Sequence, residues 1–205
     1  MTGAAASANE GLRQPGVGLA RTIGLQPSAC LVRVGLQTDR SGFRSGNIDL
    51  DRFFQRYAGQ NQFRHHIGTT YVAVQGDQIV GFTTVSSGEL TAEMVVKALR
   101  RRLPAYPPPI LRLSRLAVDE RLQGHGLGQL LLRAMLDLAL EMRDRVGCSG
   151  VAVGAKPKAV DFFARLGVRP LHRISGSLGD RPEPITMFLP MREIAAAAGR
   201  AEKGI

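Results

Sequence analysis

The chain has 205 residues, enough for one well-buried domain and short for two. Apolar residues make up 44% of it, yet no apolar run approaches the roughly 18 residues a helical membrane span needs, which argues against a membrane protein. The net charge of +10, most of it beyond residue 40, describes either a soluble surface that happens to be basic, the reading charge alone favours, or one that attracts polyanions; an anionic cofactor would also account for some excess.

The N-terminal stretch is rich in Gly, Ala and Ser and lacks the compact apolar core of a signal peptide. Residues 1–27 are read as a flexible extension, 28–191 as the folded domain and 192–205 as a terminal helix and tail. Cys30 and Cys148 form no CxxC pair, the pattern of two reduced thiols in a cytoplasmic protein. A helix starts at Asn47, with Asn47 or Asp49 as its cap; Leu50, Phe53, Phe54, Tyr57 and Ala58 share a face expected to enter the core. The pair His65-His66 tempts a metal reading, but no third ligand is spaced nearby and a solvated basic turn is expected. Thr69–Gln75 and Gln78–Ser86 are β-branched runs joined by Gly76-Asp77, a hairpin. Thr91 can cap a helix to about Arg102 that ends in the cations Lys97, Arg100, Arg101 and Arg102 and is stopped by Pro104.

The strand Ile110–Val118 carries a fault. Leu111 and Leu113 put the apolar side on odd positions, whereas Leu116 and Val118 put it on even ones. An inserted residue near Ser114–Leu116, a β-bulge, produces such a slip and frees N–H groups from the ladder. Gln123-Gly-His-Gly-Leu-Gly128 follows, then an apolar stripe Leu127, Leu130, Leu131, Ala134, Met135, Leu138, Met142. A glycine-rich turn between a strand and a helix start lets backbone N–H groups meet phosphates at the positive end of the helix dipole. It is no Walker A loop, since no Lys-Ser/Thr follows, and it is a poor dinucleotide fingerprint because Gln129 stands where a third Gly or Ala belongs. Beyond it come a strand Gly150–Ala155, a helix Lys158–Leu166 closed by Gly167, a strand Ile185–Leu189 and an Ala-rich terminal helix. The alternation of strands and helices argues for an α/β layer structure.

The loop Gln123-x-x-Gly126-x-Gly128 and the order of elements from about Phe43 to Leu189 resemble the GNAT acetyltransferases. Phe43-Arg-Ser-Gly46, Gln60-Asn-Gln62, Thr70-Tyr-Val-Ala73 and Leu113-x-Arg-Leu-Ala-Val-Asp119 narrow the resemblance to the acetyltransferase toxins of toxin–antitoxin pairs. It implies an α/β GNAT fold, with a mixed, mostly antiparallel sheet splayed at a β-bulge and flanked by helices. It also implies acetyl-CoA as co-substrate, no metal, and transfer of acetyl to the α-amine of aminoacyl-tRNA. Homodimers and a small ribbon-helix-helix antitoxin belong to the same expectation. The cofactor would lie along Leu116, Ala117, Val118, Gln123, Gly124, His125, Gly126, Leu127 and Gly128, with the Leu116 and Val118 backbone polarising the thioester carbonyl. Phe163 stands where the family carries a Tyr that protonates the departing thiolate, so that donor is lost here. Tyr71 and Tyr106 are weak substitutes. Glu89, Asp119 and Glu120 are the only acids to consider as a base, and none is convincing. Lys97, Arg100, Arg101, Arg112 and Arg115 are candidates for holding an anionic acceptor. Two alternatives stay open: an enzyme acetylating a small amine or a protein N-terminus, and a non-catalytic acetyl-CoA-binding module.

Overall fold

A computed structural model of the chain describes residues 29–35, 37–91, 106–171 and 184–203. The expected extension 1–27 and the expected helix ending in Lys97, Arg100, Arg101 and Arg102 lie outside them. Among the described residues, seven strands form one sheet in the order β1-β2-β3-β4-β5-β7-β6: β1 Ala29–Arg33, β2 Thr69–Gln75, β3 Gln78–Glu89, β4 Pro109–Val118, β5 Gly150–Ala155, β6 Arg169–Pro170 and β7 Ile185–Pro190. The pair β4–β5 is parallel and every other pair antiparallel. The fold class is that of the resemblance, an α/β layer structure with a mixed, mostly antiparallel sheet.

The bulge is where the phase slip puts it. Thr84 pairs with Arg115 and Val85 with Leu113, so Ser114 is the extra residue. Leu111 and Leu113 before it, and Leu116 and Val118 after it, then all pack on one face of the sheet. Ala117 enters the core of the opposite face with Phe43, Phe53, Phe54 and Phe82. A second irregularity, at Val80 between Ala73 and Val74, has no comparable trace in the sequence pattern.

The first face carries α3 (Leu127–Val146), α4 (Val160–Arg165) and α5 (Met191–Lys203). Leu131, Leu132, Met135 and Ala139 of α3 are its buried stripe, and Met191 and Ile194 dock α5 into the same core. The other face carries α1 (Ile48–Arg52), a π-helical turn (Phe53–Tyr57) and α2 (Ala58–Phe63) in one run. Asn47 caps it, its side chain accepting from the N–H groups of Asp49 and Leu50. The π turn corrects one expectation. Ala58 N–H bonds to the Phe53 carbonyl, so the residue five places on, not four, comes beneath Phe53. Tyr57 is thereby turned out of the core and is 45% exposed. Phe54 stacks on Phe82 with ring centroids 4.2 Å apart, and Gln62 bonds to the Val34 carbonyl and the Thr70 N–H. These contacts stretch the α1–α2 run across the sheet from β4 to β1.

Candidate active site

The strands β4 and β5 pair only from Leu111 to Leu113; past the bulge β4 has no partner on that side among the described residues. The sheet therefore opens into a V between the second half of β4 and the end of β5. The ladder decides which groups face it. Asp119 N–H bonds to the Val80 carbonyl, and Ala117 and Arg115 pair with Phe82 and Thr84. Antiparallel pairs alternate between bonded and open positions, so the N–H groups of Leu116 and Val118 point away from β3, into the V. Ala117 points its N–H to β3 and its side chain into the core, so it meets a ligand in the V through neither.

At the mouth of the V the chain turns through a short 3-10 helix (Glu120–Leu122) into the glycine loop. Gly124 and Gly126 both adopt φ of 82°, the left-handed region that side chains avoid. Gly126 begins α3 without a side-chain cap; its carbonyl takes the N–H groups of Gln129 and Leu130, which leaves those of Leu127 and Gly128 open at the helix start. Gly128 has a packing reason as well: a Cβ there would come within 3.2 Å of the Phe162 ring. This cradle of open N–H groups at the N-terminus of a 20-residue helix fits a diphosphate.

Two loop residues have other duties. Gln123 Nε2 donates to the Ser45 carbonyl at 2.9 Å and the Val118 carbonyl at 3.2 Å, so this side chain fastens the loop to β4 and to the turn before α1. His125 is exposed and its Nδ1 lies 2.9 Å from the Gln123 carbonyl.

Asp119 is no base. Its carboxylate is gripped by Arg121 Nε and Nη2 at 2.9 and 3.1 Å, which holds its pKa below the usual carboxylate range. Glu120 is exposed beside Gly46, and Glu89 pairs with Pro109 at the far end of β4. The phenols proposed as proton donors are elsewhere too. Tyr71 packs on the α3 side, where burial raises its pKa and Arg33 and Glu141 are its charged neighbours; Glu141 lies near the end of α3 away from the loop. Tyr106 is 69% exposed just before Pro107, again remote from the loop. Phe163 is 5% exposed, in the core with Leu132, Met135 and Met187, its ring 5.0 Å from that of Phe162. A phenyl ring has no proton to give, and this one is buried in the core.

On the acceptor side, Arg115 is carried by the bulge to the α1 face, its guanidinium 3.6 Å from the Phe53 ring centroid. Burial lowers its pKa, though a guanidinium remains charged. Arg112 is exposed two positions before the extra residue. Lys156, just past β5, reaches Asp49 of α1 at 3.8 Å, a contact across the V that the sequence did not announce. Among the described residues no group of three His, Cys, Asp or Glu gathers, and no helix is long and apolar enough to cross a membrane.

The sequence profile of the Acetyltransferase (GNAT) family matches residues 37–168. The chain is similar to a tRNA-acetylating toxin of Mycobacterium tuberculosis, 32% identical over 60% of this chain and 73% of that protein. It is also similar to the probable toxin TacT of Sinorhizobium fredii, 25% identical over 78% and 90% of the two chains. Among solved structures, a tyrosine-to-phenylalanine mutant of KacT superposes with a TM-score of 0.71 at 25% identity over 83% of this chain and 99% of that one. AtaT complexed with acetyl-methionyl-tRNAfMet superposes with a TM-score of 0.70 at 23% identity over the same shares. This chain belongs to the GNAT acetyltransferase family. It is an N-acetyltransferase that takes its acetyl group from acetyl-CoA.

Proposed function

We propose that the acceptor is the α-amino group of the amino acid on charged tRNA. The observation that carries this reading is the likeness to the tRNA-acetylating toxin across nearly three quarters of that protein. The chemistry of the V agrees with it. Bound acetyl-CoA supplies an activated thioester and a thiolate leaving group. The open N–H groups of Leu116 and Val118 are placed to hydrogen-bond a carbonyl oxygen as negative charge builds on it. Leu127, Gly128 and the two left-handed glycines hold the diphosphate. Asp119, Glu120 and Glu89 are locked, exposed or remote, so the described residues supply no evident base. An α-amine, with a pKa of about 7.7–8.0, is partly neutral at cellular pH without one, whereas a lysine amine near about 10.4 is not. Phe163 leaves protonation of the thiolate to water, a loss of roughly 10²–10⁴ in rate relative to a positioned acid.

A toxin of this branch would act as a cytoplasmic homodimer held in check by a small ribbon-helix-helix antitoxin. The domain is taken as 28–191, with 1–27 as an extension and 192–205 as a terminal helix and tail. The site assignment rests on the Leu116–Val118 backbone, the loop Gln123–Gly128, and Arg112 and Arg115. Acetyl incorporation into a charged-tRNA pool, beside small amines and peptide N-termini, separates the readings. Transfer to charged tRNA alone is expected; transfer only to the others would sink the proposal.

A further inference from the structure

The outer face of the α1–α2 run is not used by the transfer site. From Arg52 to His66 the chain carries Arg52, Arg56, Arg64, His65 and His66 and no Asp or Glu. All five basic residues are exposed, and none of the three guanidiniums has a carboxylate partner among the described residues. The two acids of the run lie in its first turn and are engaged, Asp49 by Lys156 and Asp51 by Ser45.

A solvated helix face ordinarily mixes charge signs. Here the basic residues follow one another with no acid among them, so no ion pair along this face offsets their mutual repulsion. The stripe therefore does nothing for the helix itself. It begins at the V: Arg52 precedes Phe53, whose ring carries Arg115 beside the bulge. At 1.5 Å per residue it extends for about 18 Å, the length of several nucleotides of a strand. The π turn adds a second kind of group, because it turns the Tyr57 ring outward next to Arg56. Guanidiniums at intervals with an exposed aromatic ring among them suit a nucleic-acid strand, phosphates on the cations and a base on the ring. An acidic polypeptide would match the cations but has no base to stack.

We infer that this face holds the RNA strand that leads away from the acceptor amine, with phosphates on Arg52, Arg56 and Arg64 and a base stacked on Tyr57. The inference rests on the charged-tRNA reading and adds to it the surface that selects a polynucleotide over a bare aminoacyl ester.

The experiment compares the full-length protein, the double variant Arg56→Glu/Arg64→Glu, Tyr57→Ala and Tyr57→Phe on charged tRNA and on an aminoacyl ester too short to reach α2. Arg145→Glu, on the exposed end of α3, serves as a charge control. In the double variant KM for charged tRNA should rise by about tenfold or more. The slope of log affinity against log salt should flatten by roughly 1.4, at about 0.7 per single-strand phosphate contact. The ester should show no such loss. Tyr57→Ala should raise KM for tRNA by about tenfold and Tyr57→Phe should not, because stacking needs the ring and not the hydroxyl. A double variant that keeps the wild-type KM and salt slope, or Arg145→Glu matching its loss, overturns the placement while leaving tRNA as substrate. A wild-type protein that acetylates the ester but no charged tRNA overturns the functional reading, and the placement with it.

Discussion

Replacing Leu116 by proline tests the carbonyl-polarising group without touching a side chain assigned to chemistry. A proline normally disrupts a central strand because it removes a ladder donor. At position 116 the N–H points into the V and takes no part in the β3 pairing, so the ladder through Arg115 and Ala117 survives. What is lost is the donor aimed at the developing oxyanion. Removing one such donor costs about 10²–10³ in kcat, or roughly 2.7–4 kcal/mol of transition-state stabilisation. Leu116→Ala is the matched control: it keeps the N–H and loses the same half-buried side chain, with a stability cost near the low end of the roughly 2–5 kcal/mol seen for buried leucines. Val118→Pro removes the second open donor assigned to the carbonyl oxygen and should lower kcat in the same way. The assay is initial-rate acetyl transfer with acetyl-CoA affinity measured by calorimetry and folding by thermal melt. A folded Leu116→Pro protein with the kcat of Leu116→Ala would refute the assignment of that N–H.

Three further outcomes follow from the geometry. Gly126→Glu puts a side chain at φ of 82° and a negative charge in the cradle, so calorimetry should show acetyl-CoA affinity sharply reduced; unchanged affinity would move the diphosphate elsewhere. Phe163→Tyr should raise kcat with little change in KM for acetyl-CoA if the hydroxyl reaches the V, since a proton donor acts in the transition state; a lowered melting temperature with unchanged kcat would mean it stayed in the core, where an unpaired hydroxyl costs about 1–3 kcal/mol. Asp119 and Asp137 should act oppositely on stability against pH. Arg121 lowers the Asp119 pKa, so its contribution is present above the usual carboxylate range and is lost as pH falls through the folded value. Burial raises that of Asp137, whose Oδ2 has no partner among the described residues, so its contribution is lost as pH rises. Melts across pH should show Asp119→Asn destabilised at neutral pH and flattened on the acid limb, and Asp137→Asn stabilised at neutral pH.

The parts of the site legible in the sequence are those with a local cause. The slip between Leu113 and Leu116 is a two-residue pattern broken once, and one inserted residue is its simplest source. The cradle shows in three glycines spaced between a strand and a helix, and Asn47 announces the start of α1. What was hidden depends on distant partners or on small departures from ideal geometry. A single π turn leaves the four-residue spacing of Phe53 and Tyr57 intact on paper while turning the tyrosine outward. The place of Tyr71, against α3 and not in the V, depends on which face of β2 meets which helix. Gln123 reads as a cofactor contact because it sits in the loop; its bonds to Ser45 and Val118 need the whole β2–β4 assembly to exist.

The bond from Gln123 to the Ser45 carbonyl spans 78 positions of the chain. The α1–α2 run and the strands β2, β3 and β4 all lie inside that closed span. The glycine loop is thus tied to the folding of this entire stretch. Binding there is linked to folding: a cofactor that recognises the finished loop and not the unfolded chain stabilises the protein by about 2.7 kcal/mol at a hundredfold excess over its dissociation constant. The cofactor thereby acts as a staple across the first half of the domain, and supply of acetyl-CoA raises the stability of the fold as well as feeding the transfer.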